Sequence, residues 1–155
     1  MPAALLLLFF AIGLLSGVLQ RANSLFAEPV FSQLTILTSD GVRHDFMVEV
    51  ADDPQARARG LMFRRSLDAN RGMLFDFEHN TEVQMWMKNT YISLDMLFLL
   101  ENGTIHRIER NTEPHSLRVI SSFGKVRGVL ELPAGSASAL GLKPGDTVLH
   151  DMFAH

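Results

Sequence analysis

The chain has no cysteine. That excludes disulfides, thiolate metal sites and a cysteine nucleophile, and it leaves the fold to be held by its core alone. Paired histidines are also missing. His44, His79, His106, His115, His150 and His155 form no His-x-His or His-x-x-x-His spacing, so the sequence offers no local metal-ligand set and no metal is expected. Gly-x-Ser-x-Gly, phosphate-loop and dinucleotide fingerprints are absent, and no cofactor is expected. There is no basic block, and the formal net charge is −3. That balance argues against nucleic acid as a partner. Internal repeats and low-complexity stretches are lacking as well.

What is there begins with an apolar run, Ala3 to Leu19, followed by polar and then small residues. This is the layout of a secretory signal peptide, with cleavage expected after Ser24 or Ala27. The run lacks a cationic start and reaches about 17 residues, the lower limit of a membrane-spanning helix, so an uncleaved anchor is the alternative. The expectation is residues 1–27 as leader and 28–155 as one domain, exported to the periplasm or the cell exterior, or tethered through residues 1–27, its only membrane contact. A domain of that length can enclose one core.

Periodicity reads as mostly β. Leu34 to Thr38 is β-rich, Ser39-Asp40-Gly41 is a turn, and Phe46, Val48 and Val50 alternate with Met47, Glu49 and Ala51, which predicts a hairpin. Asp52 or Asp53 caps a short helix with Pro54 at its first position, and Gly60 ends it. Residues 73–77 and 83–87 alternate and read as two strands. Leu94 to Leu100 is almost continuously apolar, as in a central strand. Asn102-Gly103 predicts a tight hairpin into Thr104 to Arg110. Residues 111–124 read as a loop, Val126 to Leu132 as a strand, Ser136 to Leu140 as a short helix, and Thr147 to Met152 as a last strand. The sum is a compact sandwich or barrel of seven to eight strands with two short helices.

The least ordinary segment is Met85-Trp86-Met87-Lys88-Asn89-Thr90. It holds the only tryptophan, with a cation, an amide and a hydroxyl at a strand end. Trp86 and Lys88 share one face; Met85 and Met87 share the other. Asp95 interrupts an apolar strand, and an acid there is paired or functional. The expectation is that it is at least partly buried and anchors the Trp86 to Thr90 loop, with a ligand-orienting role as the alternative. Seven methionines follow the initiator. Core packing explains most of them; Cu(I) ligation is the alternative reading.

These residues carry a resemblance. Arg57-Ala58-Arg59-Gly60-Leu61-Met62-Phe63-Arg64, Gly72 to Phe77, Trp86-Met87-Lys88-Asn89-Thr90 through Met96, Val129 to Gly135 and Gly141 to Asp146 follow the pattern of the DUF192 family in order. The chain resembles that family over about 110 residues. It departs at Ser93, where the family usually has proline, and at Met85, where an aromatic is common. The resemblance implies a compact mostly-β fold and frequent export. It supplies no reaction, substrate or cofactor.

Two functional readings remain. The first is a cell-envelope binding module for a small polar or carbohydrate-like ligand, with Arg57, Met62, Arg64, Trp86, Lys88, Asn89, Asp95 and Glu131 as candidate surface. The ring would stack and the cations would bind oxygen-rich groups. The second is a hydrolase- or lyase-type enzyme with Asp95 and Glu131 as acid and base and Lys88 or Arg64 stabilising charge. A scaffold without ligand is a third. Convergence of Asp95, Glu131 and Lys88 in one pocket separates the second from the others.

Overall fold

A computed structural model describes residues 31–153. The leader and its cleavage sites lie outside the described residues. Strands β1 (Phe31–Leu37) and β2 (Arg43–Ala51) form the expected hairpin, and helix α1 (Pro54–Arg59) follows. Asp53 caps α1 by accepting from the amides of Gln55 and Ala56 at 2.7 and 2.8 Å, and Gly60 ends it at a positive φ of 48°. A Cβ on Gly60 would lie 3.1 Å from the Phe75 ring, so glycine lets the helix end rest on that ring. Then come β3 (Arg71–Met85), β4 (Leu94–Leu99), β5 (Ile105–Glu109), β6 (Ile120–Pro133), the short helix α2 (Ser136–Ala139), β7 (Thr147–Leu149) and a 3₁₀ turn, Asp151–Phe153.

The seven strands make one sheet in the order β5-β4-β6-β3-β2-β1-β7. Only β2 and β3 run parallel, and α1 lies in the crossover between them. The sheet curls until its ends meet. Val148 donates to the Gly103 carbonyl at 2.8 Å, Ile105 to that of Asp146 at 2.8 Å, and Gly145 to that of Ile105 at 2.9 Å. The result is a nearly closed barrel, with the far half of β3 paired only to β6.

Two apolar cores follow from period-2 alternation. Leu34, Phe46, Leu74, Leu97, Leu130 and Val148 fill the barrel interior beneath α2. The outward faces of β2, β3, β4 and β6 carry a second cluster, with Ala51, Met73, Phe75, Met96 and Val129, covered by Leu61 after α1 and by Met87. Each fully buried Leu, Met or Phe contributes about 1.5–3 kcal/mol relative to exposure. Met87 and Met96 are among them and Met73 is nearly so, and these thioethers serve packing.

The structure corrects several sequence-level boundaries. The two strands expected at 73–77 and 83–87 are one, β3, continuing through an irregularity between Asp76 and Thr81. The loop expected over 111–124 ends at Val119, because β6 begins at Ile120. The last strand is only Thr147–Leu149. Among the described residues no helix is long and apolar enough to cross a membrane, and no group of three His, Asp or Glu could hold a metal ion.

Candidate functional site

The second core is not sealed. Between α1 with its following turn and the end of β3 lies a cleft of about 220 Å³. Leu61, Met62, Phe75 and Phe77 line its walls, Trp86 and Arg59 stand at it, and Glu131 of β6 reaches it from the sheet. That volume is below the roughly 300–1,000 Å³ of drug-sized pockets. It suits one small ring.

Glu131 is the unusual group. Its neighbours across the sheet are Met73 on β3 and Met96 on β4, both buried. It is 4% exposed, and no described residue donates a hydrogen bond to its carboxylate. Burial in these surroundings pushes its pKa up to about 8, because an apolar environment disfavours the charged form. Burial thus favours its neutral form, which can both donate and accept. A carboxyl packed among apolar groups is costly to ionise, and strongly perturbed carboxyls cluster at functional sites.

The other expected residues divide. Met62 and Trp86 line the cleft, and Trp86 is 55% exposed. Arg57 also lines it, but its Nη1 is committed, donating to the carbonyls of Asp52 and Asp76 at 2.7 and 2.6 Å and to Glu78 at 3.3 Å. It stitches α1 to β3. Arg64 gives both terminal nitrogens to the two oxygens of Glu49, a nearly buried acid on β2. Lys88 is exposed beyond the mouth and makes no ion pair among the described residues. Asn89 adopts a left-handed backbone (φ 56°), accepts from the Phe63 amide at 2.9 Å, and points its side-chain amide at the Met62 sulfur, 4.0 Å away. It shapes the wall.

Asp95 is elsewhere. It is fully buried, on the inner face of β4, and accepts from the amides of Asn111 at 2.9 Å and Ala137 at 2.8 Å. The expected burial is present; the expected anchoring of the Trp86 to Thr90 loop is not. Asp95 instead ties β4 to the segment after β5 and to α2. In the register, Asp95 faces Leu132 and Met96 faces Glu131, so the two carboxylates project to opposite faces of the sheet. The convergence that the alternative acid–base reading of Asp95 and Glu131 requires is therefore not present.

Sequence reasoning passed over an aromatic group outside the mouth. Phe63, next to Met62, is 56% exposed and lies edge-on to Tyr91, with ring centroids 6.0 Å apart. Tyr91 in turn contacts His115 at 5.0 Å, and Arg65 sits 5.8 Å from its ring centre. Phe63 and Tyr91 stand inside the motif blocks quoted above, but neither breaks a pattern that periodicity can flag. Glu49, the partner of Arg64, was equally silent. A wider, shallower depression of about 640 Å³ lies along β1 and β7; its His150 is engaged with Ser32 at 2.9 Å.

Comparison with known proteins agrees with this fold. A structure from Sinorhizobium meliloti, provisionally described as a transcription regulator, is 45% identical with a TM-score of 0.79, over 80% of this chain and 96% of that one. A protein of unknown function from Novosphingobium aromaticivorans is 32% identical with a TM-score of 0.75, over 80% of this chain and 94% of that one. No curated protein matches. The model of DUF192, described as uncharacterized ACR, matches residues 35–150. With most of the barrel and all of the cleft inside that match, the chain belongs to the DUF192 family.

Proposed function

We propose that this protein is a binding module for a small hydroxylated ring, such as a monosaccharide unit, held between the Trp86 ring and the Glu131 carboxyl. The observation that carries the reading is Glu131 itself: a buried acid, with no side-chain hydrogen bond among the described residues, at a cleft of one ring's size. A neutral carboxyl matches a hydroxyl well, because each can donate and accept. Trp86 offers a half-exposed aromatic face at the mouth, which suits stacking. The reading includes export through residues 1–27, supported by the apolar run at Ala3 to Leu19; N-terminal sequencing of envelope-fraction protein tests that part.

A second reading has one observation in its favour. A carboxyl titrating near 8 is matched to general acid-base work near neutral pH. In that version Glu131 acts without Asp95. The S. meliloti relative is described as a transcription regulator, but a formal net charge of −3 with no basic block argues against nucleic acid as this chain's partner.

The only tryptophan is at the cleft, so its emission reports occupancy. Titration with glucose, glucuronate and N-acetylglucosamine is expected to perturb it saturably for at least one sugar. Glu131→Gln is expected to weaken that binding about tenfold or more. No response to any sugar, in emission or in thermal midpoint, contradicts the reading.

A further inference from the structure

Phe63 presents a costly arrangement. A non-glycine residue at φ 65° is strained, and a large exposed ring gains little from burial. Two more left-handed residues, Asn89 and His115, stand in the neighbouring loops. Phe63 donates its amide to the Asn89 carbonyl at 2.9 Å, and His115 (φ 62°) donates to that of Thr90 at 3.1 Å. Met87 donates to the Ser116 carbonyl at 3.1 Å. Three loops are thus fastened together, and their fastening holds Phe63, Tyr91 and Trp86 outward as a fixed surface. This surface continues the cleft: Met62 and Thr90 line it, and Phe63 and Tyr91 are the next residues in the chain.

Charge is concentrated in the same place. Residues 54–67 hold four arginines and no acid, and residues 83–94 hold Lys88 and no acid, in a chain whose net charge is −3. Arg57 and Arg64 are ion-paired. Arg65, over Tyr91, and Lys88 remain at the surface.

We infer that the cleft is the inner end of a longer track, and that its ligand is an acidic oligosaccharide whose next sugar units lie on Phe63 beside Arg65 and Lys88. The inference rests on the binding reading above and names its ligand class. Exposed rings stack on the apolar faces of sugars, and the two cations pair with uronate or similar groups. Competing polymers fit less well. An acidic peptide would satisfy the cations but brings no apolar sugar face for the Phe63 ring. A nucleic acid strand is the remaining competitor for these cations and rings, and oligo-dT tests it.

The test uses the full mature chain and Trp86 emission. The probes are a tetrasaccharide of alternating glucuronate and N-acetylglucosamine, the neutral tetrasaccharide of N-acetylglucosamine, and free glucuronate. The acidic tetrasaccharide is expected to bind at least tenfold more tightly than either of the others, and to weaken with added salt. Phe63→Gly relieves the left-handed strain and is expected to fold. It should lose about tenfold for the tetrasaccharide while glucuronate binding stays within twofold. Arg65→Gln with Lys88→Gln should abolish the preference for acidic over neutral. Equal binding of both tetrasaccharides, or a tetrasaccharide no tighter than glucuronate, overturns the track and leaves the cleft reading standing. Response to no saccharide sinks both. Stronger binding of oligo-dT, polyglutamate or phosphatidylglycerol vesicles than of the acidic tetrasaccharide also overturns it.

Discussion

Replacing Glu131 by glutamine removes an ionisable group while keeping its shape. In the folded protein burial raises the Glu131 pKa to about 8, against 4.5 for an unhindered glutamate. Below 4.5 the carboxyl holds its proton in both folded and unfolded chains and adds no pH dependence. Between 4.5 and about 8 only the unfolded chain releases it, so stability falls as pH rises. Above about 8 both forms are ionised and the full loss is reached. That interval, at about 1.4 kcal/mol per pH unit, sets a ceiling of roughly 5 kcal/mol. The glutamine variant stays neutral throughout, so the difference between parent and variant isolates the contribution of this carboxyl and cancels every other titrating group. With a urea slope of about 1.5 kcal/mol per M, Glu131→Gln should exceed the parent's midpoint at about pH 9 by up to roughly 3 M more than at about pH 4. Urea unfolding followed by Trp86 emission, at unit steps across that pH range, measures this. Parallel curves for parent and variant would refute the reasoning, since they would mean that Glu131 is solvated or paired.

Two further substitutions probe the frame that holds the cleft. Asp95→Ala strands the amides of Asn111 and Ala137 and should cost about 2–6 kcal/mol in urea unfolding, at roughly 1–3 kcal/mol for each orphaned donor; Asp95→Asn should lose less, and a midpoint unchanged in both would contradict its structural role. Gly103→Ala places a Cβ 2.3 Å from the Val148 carbonyl, at φ +81°, where the barrel closes. It should cost about 1–3 kcal/mol, read as a lowered urea or thermal midpoint, and an unaffected midpoint would mean that β5 and β7 are not joined there.

The legible parts of this fold were those where local chemistry and final position agree. β2 alternates because one face is buried, and Asn102-Gly103 makes a tight turn whatever surrounds it. The early half of β6 was illegible because Ser121, Ser122, Gly124 and Lys125 carry no apolar alternation. Ser122 is nonetheless buried, donating to the Gly124 carbonyl at 2.6 Å and accepting from the Val83 amide at 2.9 Å, so polar satisfaction replaces hydrophobicity. β3 looked like two strands because its polar middle, with Glu78 at φ 66°, interrupts the pattern without ending the strand. At the site, Trp86 stood out by type, and it lies with Met62 and Glu131, which were named only as candidate surface. Asp95 stood out equally and does not join them, because the offset between β4 and β6 is a pairing fact that neither strand encodes alone. The arginines looked available in sequence; the partners of Arg57 and Arg64 lie on β2 and β3, beyond local reading.

The most direct measurement is the titration of Glu131 itself. Carbon-detected NMR of the protein labelled at glutamate side chains resolves the carboxyl carbons, and Glu131→Gln assigns the resonance by its disappearance. The account predicts a midpoint near 8 for this carboxyl. It also predicts that saturating glucuronate moves that resonance at neutral pH. A midpoint in the ordinary glutamate range of about 4–5, with a resonance indifferent to any sugar, would contradict a buried, unpartnered acid waiting for a ligand in the cleft.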